Sequence, residues 1–408
     1  LSLKYQGKTD EAYDLFWKST WSKAWADAGY FEAAKISVAQ GRYDDALDEI
    51  NRCLENNWHN HKARVLKAAV MRIFDEMDKA LRLIDESLSF DQFNYGCRFE
   101  KYLITGSDDE LQEMKRMMRK SEQNYNELIL DYLAAGLSKE AISIAKIAEE
   151  EGATSPMTYY YLKDYEKAAK ANLDYCFPNR SEDVVALEAA KKANPHDAHA
   201  PYLLGCLYYA ARQYDIAVEN WKLSAQVDPN FPTVWRNLAL ATFNKLCDED
   251  AALRMMEKAF SLDENDERIL MELDQLYKRL HHPHAARLMF LQKYPELIQR
   301  RDDLILEEIT LLNQTGQYVE VMKKLDSHTF HPWEGGEGKV PAQYQTCRVE
   351  LAKQSLVNKE YEKAIGLLYQ CLEYPHHLGE GKLHGAQEND FYYFLGIAYD
   401  AIGEKEKA

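Results

Sequence analysis

Small residues return along this chain at a fixed interval, each embedded in a block of apolar and polar positions that alternate with helical spacing. Ala12, Ala46 and Ala80 lie 34 residues apart, Ala217, Ala252 and Ala286 follow at spacings of 35 and 34, and Ala364 continues the series. Local context repeats with them, since Gly7-Lys8-Thr9-Asp10-Glu11-Ala12 aligns with Gly41-Arg42-Tyr43-Asp44-Asp45-Ala46. A fixed period of this length marks stacked supersecondary units, each too small to bury its own apolar face. Gly205 and Ala217 let two antiparallel helices approach closely, and Tyr208 and Trp221 fill the space between neighbouring pairs. The prediction is an all-α chain of about twelve stacked helix pairs.

The rhythm divides the chain into four stretches. Residues 1–94 carry regular units, 95–180 degenerate ones, 181–326 regular ones again, and 327–408 units with two Gly-rich inserted loops. Within the second stretch the pattern fades from Tyr95 to Met118, and the helix around Tyr159 to Tyr161 is cut short before Asp164. In the last stretch Ala364 to Ala408 measures 44 residues instead of 34, so the extra residues form loops. Trp17, Trp21 and Trp25 recur every four residues, which predicts one helical face packed into the core.

Composition sharpens the picture. With 18 Gly and 11 Pro in 408 residues, helix breakers are scarce. No apolar run reaches the ~18 residues a membrane span requires, so no membrane insertion is expected. Lys and Arg number 50 against 67 Asp and Glu, a net charge of −17, which argues against nucleic acid as the main partner. Seven cysteines lack regular spacing, which excludes a disulfide framework or zinc cluster and predicts buried thiols in a reducing, cytoplasmic setting. His59 and His61, His196 and His199, His281, His282 and His284, and His376 with His377 fall near helix ends or in turns, where solvated roles outweigh zinc ligation. No motif implies a cofactor or a metal.

The residues around the periodic alanines carry a resemblance. One unit reads Leu204, Gly205, Tyr208, Ala217, Trp221 and Pro229, and the next reads Trp235, Leu238, Ala239, Ala252, Met256 and Ala259. In these positions the chain resembles tetratricopeptide-repeat (TPR) proteins. The resemblance implies an α/α right-handed superhelix, a TPR solenoid, acting as a noncatalytic protein–protein interaction scaffold. A narrower likeness rests on Asp174 to Arg180, Phe231 to Leu238, His331 to Lys339 and Leu378 to Asp390. These phrases look like the C-terminal TPR region of large bacterial proteins with an N-terminal β-rich, carbohydrate-related domain. That likeness implies a protein or peptide partner, with the chain's own N-terminal domain among them, and it is compatible with a homo-oligomer. The competing implication is a carbohydrate-associated module completed by the N-terminal domain.

Two sets of residues are candidate sites. Carrying the family's first-helix positions onto this chain places Tyr202, Tyr209, Arg236, Phe243, Asn244, Arg268, Gln275 and Lys278 in a groove, a basic and aromatic patch suited to an acidic or C-terminal peptide. The alternative is that these cations pair with acids on neighbouring helices. The second set lies in the inserted loops, which share Gly-Glu-Gly-Lys at Gly336–Lys339 and Gly379–Lys382. Trp333, Glu334, Glu337, Lys339, Glu380, Lys382, His384, Gln387, Glu388 and Asn389 there suit a sugar or polar peptide. The alternative is that the loops pack on each other and steady the end of the solenoid. Neither loop has the spacing of a phosphate-binding P-loop, and no catalytic residues are expected.

Overall fold

The computed structural model describes residues 1–408. The chain is all-α and falls into two compact units, Leu1–Pro229 and Asn230–Ala408. No helix is long and apolar enough to cross a membrane.

In the first unit, helices joined by short turns pack as hairpins: Ala26–Ala39 with Tyr43–Asn56, His61–Ile73 with Met77–Phe90, and Glu122–Ala134 with Ser138–Glu150. His199–Ala210 pairs in the same way with Tyr214–Val227. Two first-unit helices, His61–Ile73 and Tyr95–Thr105, start at an asparagine cap. Asn60 accepts from the Ala63 N–H at 3.0 Å and Asn94 from the Cys97 N–H at 3.1 Å, each satisfying a donor the helix cannot. The periodic alanines Ala12, Ala46, Ala80, Ala217, Ala252 and Ala364 are buried between paired helices. Ala286 is the exception: it is exposed, and its neighbour Arg287 turns inward.

Gly205 shows what the small positions do. A Cβ built there would stand 2.3 Å from the Trp221 ring, which is itself buried and donates its indole N–H to the Tyr202 carbonyl at 3.1 Å. The ring cannot retreat without breaking that bond. Gly205→Ala is therefore expected to destabilise the first unit by about 1–3 kcal/mol, the usual cost of overpacking, read as lost hydrogen-exchange protection in His199–Ala210 and Tyr214–Val227.

The stretch from Tyr95 to Met118, where the repeat pattern fades, forms a helix pair, Tyr95–Thr105 with Asp108–Met118, around buried Phe99, Met114 and Met118. Two local expectations need correction. The three tryptophans do not share a face. The helix Thr9–Ser19 stops before Trp21, so Trp17 packs edge-on against Tyr30 while Trp21 and Trp25 stand 85% and 65% exposed. Five of the seven cysteines are buried, whereas Cys206 is half-buried and Cys247 exposed. Burial pushes the Cys53, Cys97, Cys176, Cys347 and Cys371 thiols up to about 12, which leaves them protonated and inert. The shortened unit is as expected, with Pro156–Tyr161 and Tyr165–Ala168 followed by a loop to Arg180.

The second unit stacks Pro232–Ala241 on Glu249–Leu262, Asp302–Gln314 on Tyr318–Ser327, and Lys339–Val357 on Tyr361–Gln370. The long insertions leave it as irregular segments after Ser327 and Gln370.

Candidate functional site

Four first helices of the first unit, Ala26–Ala39, His61–Ile73, Tyr95–Thr105 and Glu122–Ala134, turn one face toward a common cavity of about 300 Å³. The lining residues recur at helical spacing, as in Phe31 and Lys35, Lys62, Val65 and Leu66, and Glu127, Leu128 and Asp131. Away from the cavity lining, the first and fourth pairs also touch. Gly136 has φ +74° and sits so close to Ala39 that an added Cβ would lie 2.8 Å from its Cα.

Charges bind the rim together. Lys62 donates to Asp131 at 2.7 Å and to Glu127 at 3.1 Å, and Arg180 from the following loop also donates to Glu127. Burial acts to lower the Lys62 ammonium, but Asp131 and Glu127 more than offset it and hold it above the ordinary lysine value. Lys35 is bonded to Glu32, which also accepts from Lys4 at 3.0 Å. Burial nevertheless pushes Lys35 below the ordinary value, and it pushes Asp131 above its own. Under the cavity, Arg72 donates to Glu100 at 2.7 Å and to Glu140 at 2.9 Å, while the Tyr132 hydroxyl donates to Glu100 at 2.7 Å. These bonds tie three of the four lining helices into one floor.

The turn entering Tyr95–Thr105 adds two unusual groups. Asp91 accepts the Phe93 N–H at 2.9 Å, and its ionic neighbour is His61 at 3.8 Å. Asn94 is 7% exposed, its oxygen spent on the helix cap, and its amide nitrogen has no hydrogen-bond partner. The arrangement presents apolar walls with polar groups at the edge. That chemistry suits noncovalent capture.

The sequence-derived groove positions are distributed across both units. Tyr202 and Tyr209 belong to the first, where the Tyr202 carbonyl accepts from Trp221 and the Tyr209 ring stands 5.4 Å from that of Trp221. The others belong to the second, and their cations are paired. Arg236 grips Glu272 with two nitrogens, Arg268 reaches the same carboxylate at 3.2 Å, and Lys278 donates to Glu307 at 3.0 Å. Phe243 lies under Arg279 at 5.7 Å, Asn244 bonds the Leu240 carbonyl at 2.9 Å, and the Gln275 amide nitrogen is buried without a partner.

The inserted loops do come together. Glu380 accepts the Gly338 N–H at 2.7 Å, and the Phe330 N–H donates to the His377 carbonyl at 2.8 Å. Leu383 covers Gly338, and Trp333 lies half-buried against Gly336 and the core. Lys382 pairs with Glu388 at 2.7 Å, and Gln387 bonds the nearby Gly385 carbonyl at 3.2 Å. Glu334, Glu337, Lys339, His384 and Asn389 remain exposed around this contact. Glu380 is thus used in holding the loops to each other, and Trp333 in packing its own loop on the core.

Sequence reasoning missed the first-unit cavity. A partial signal was available, because the first-helix register that yields Arg268 and Met271, 18 and 15 residues before Ala286, also yields Lys62 and Val65, 18 and 15 residues before Ala80.

Fold and cavity together describe an all-α chain of tandem helix pairs whose first unit holds a cavity with apolar walls and a charged rim. No family model matches the chain. Among solved structures it is similar to yeast Tom70, at 12% identity over 99% of this chain and 96% of that one, with a TM-score of 0.32. It is also similar to YrrB, described as a TPR protein with an unusual peptide-binding site, at 16% identity, 54% and 95% coverage and a TM-score of 0.22. A third is MamA from Desulfovibrio magneticus RS-1, at 20% identity, 44% and 97% coverage and a TM-score of 0.28. Every TM-score is below 0.5, so none of these likenesses transfers a ligand or a site to this chain.

Proposed function

We propose that this chain is a noncatalytic protein-binding scaffold and that a partner protein or peptide docks in the cavity of the first unit. In this reading the partner is another protein or another domain of the same protein. One observation carries the proposal: four successive first helices contribute side chains to a single apolar cavity with a charged rim. Stacked helix pairs make such concave surfaces by repeating one face, and extended binding surfaces are their usual product.

The test uses Phe93, which lines the cavity yet is 62% exposed, so its removal leaves the buried core untouched. A random 12-residue peptide library is panned on the full chain, and the recovered peptides are measured on wild type and on Phe93→Ala. Peptides that bind wild type at least tenfold more tightly than the variant are expected, in line with the loss of one aromatic contact. Recovery of peptides that never discriminate between the two proteins would remove the cavity as the docking site.

A further inference from the structure

Resting on that reading, we infer that the segment this cavity takes carries a large aliphatic or aromatic side chain next to a lysine or arginine. Size sets the first half of the inference. A volume of about 300 Å³ stands at the small end of ligand pockets, enough for one large side chain with its adjoining backbone. Phe31, Val65, Leu66, Phe93 and Leu128 give it apolar walls.

The polar groups set the second half. Asn94 lines the cavity with a side chain more than nine-tenths buried, and its amide nitrogen lacks an acceptor. The charges are asymmetric. Both lysines that line the cavity are already engaged, Lys35 by Glu32 and Lys62 by Asp131 and Glu127. Glu127 is further matched by Arg180. Asp91 is different: no lysine or arginine pairs with it, and its ionic contact is His61 at 3.8 Å. The rim therefore has a carboxylate to offer and no uncommitted ammonium. An incoming cation gains a charge-assisted bond at Asp91, whereas an incoming carboxylate must first take Lys62 from two acids. The net charge of −17 on the chain favours the same sign of ligand at long range.

The test follows the Phe93-dependent peptides of the library on the full-length chain. Asp91→Asn removes the charge but keeps a side-chain oxygen for the Phe93 N–H, and unchanged thermal melts of this variant and of Phe93→Ala confirm that both are folded. The expected result is that these peptides contain Lys or Arg within two positions of a large apolar residue. Their Kd is expected to rise about five- to tenfold on Asp91→Asn, and to rise with salt in wild type more steeply than in the variant. Phe93-dependent peptides that are acidic or uncharged, or that ignore Asp91→Asn, would overturn the ligand class while leaving the docking site in place. A library without any Phe93-dependent peptide would overturn the docking site and the ligand class with it.

Discussion

Replacing Arg287 with alanine is expected to destabilise the second unit by about 3–5 kcal/mol, the cost of stranding a buried charge. Arg287 is 2% exposed and donates to both oxygens of Asp274, at 3.1 and 2.6 Å, and to Glu307 at 2.6 Å. Asp274 has no solvent-exposed side-chain surface, so removing the guanidinium leaves its carboxylate with neither water nor its partner. Lys278 retains Glu307 at 3.0 Å but does not replace the bidentate contact. Glu307 stays below the ordinary carboxylate range because hydrogen bonds from Arg287 and Lys278 outweigh its burial, and that balance shifts upward in the variant. Hydrogen exchange of Glu267–Arg279 and Asp302–Gln314 is the measurement, since the chain has two units and a single global transition is not assured. The double replacement Arg287→Leu with Asp274→Leu is expected to recover much of the loss, because a buried ion pair exchanged for apolar groups is often close to neutral. Protection within 1 kcal/mol of wild type in Arg287→Ala would show that the network contributes little.

What the sequence revealed and what it concealed follow from how these structures are built. The period was legible because each pair must present a small residue where its two helices cross, and Ala12, Ala46 and Ala80 are buried at that crossing. The same logic failed at Ala286, where an eight-residue helix is too short to repeat the crossing and Arg287 reaches inward instead. Spacing alone placed Trp21 and Trp25 on the face of Trp17, but helix termination at Ser19 removed the geometry that spacing assumes. Adjacency of the two Gly-Glu-Gly-Lys loops was legible as a string shared by two insertions 43 residues apart. That Glu380 would be consumed as the acceptor for Gly338 was not, since it depends on which loop lies over which. The cavity was hidden for a deeper reason. Its walls come from four repeats and bring Phe31 and Asp131, a hundred residues apart, to one cavity, a meeting that no local pattern encodes.

The floor of that cavity gives the other large effect. Glu100→Ala is expected to destabilise the first unit by about 3–5 kcal/mol, because Glu100 is fully buried and is the common acceptor for Arg72 and Tyr132. The consequence reaches the site through geometry. Arg72 belongs to His61–Ile73 and Tyr132 to Glu122–Ala134, the helices that also hold Lys62 and Asp131 at the rim, so losing the shared acceptor loosens both ends of the bolt across the cavity mouth. Burial acts to raise the Glu100 carboxyl and Arg72 acts to lower it, so the two must be removed together to avoid stranding either one. Glu100→Leu with Arg72→Leu is accordingly expected to regain stability relative to Glu100→Ala, which hydrogen exchange of His61–Ile73 and Glu122–Ala134 measures. Binding separates the floor's structural role from its role in shaping the cavity. If the double variant recovers stability but its Phe93-dependent peptides still bind several-fold more weakly than on wild type, the network sets the positions of the helices that form the cleft. If stability and affinity return together, the network acts as packing alone.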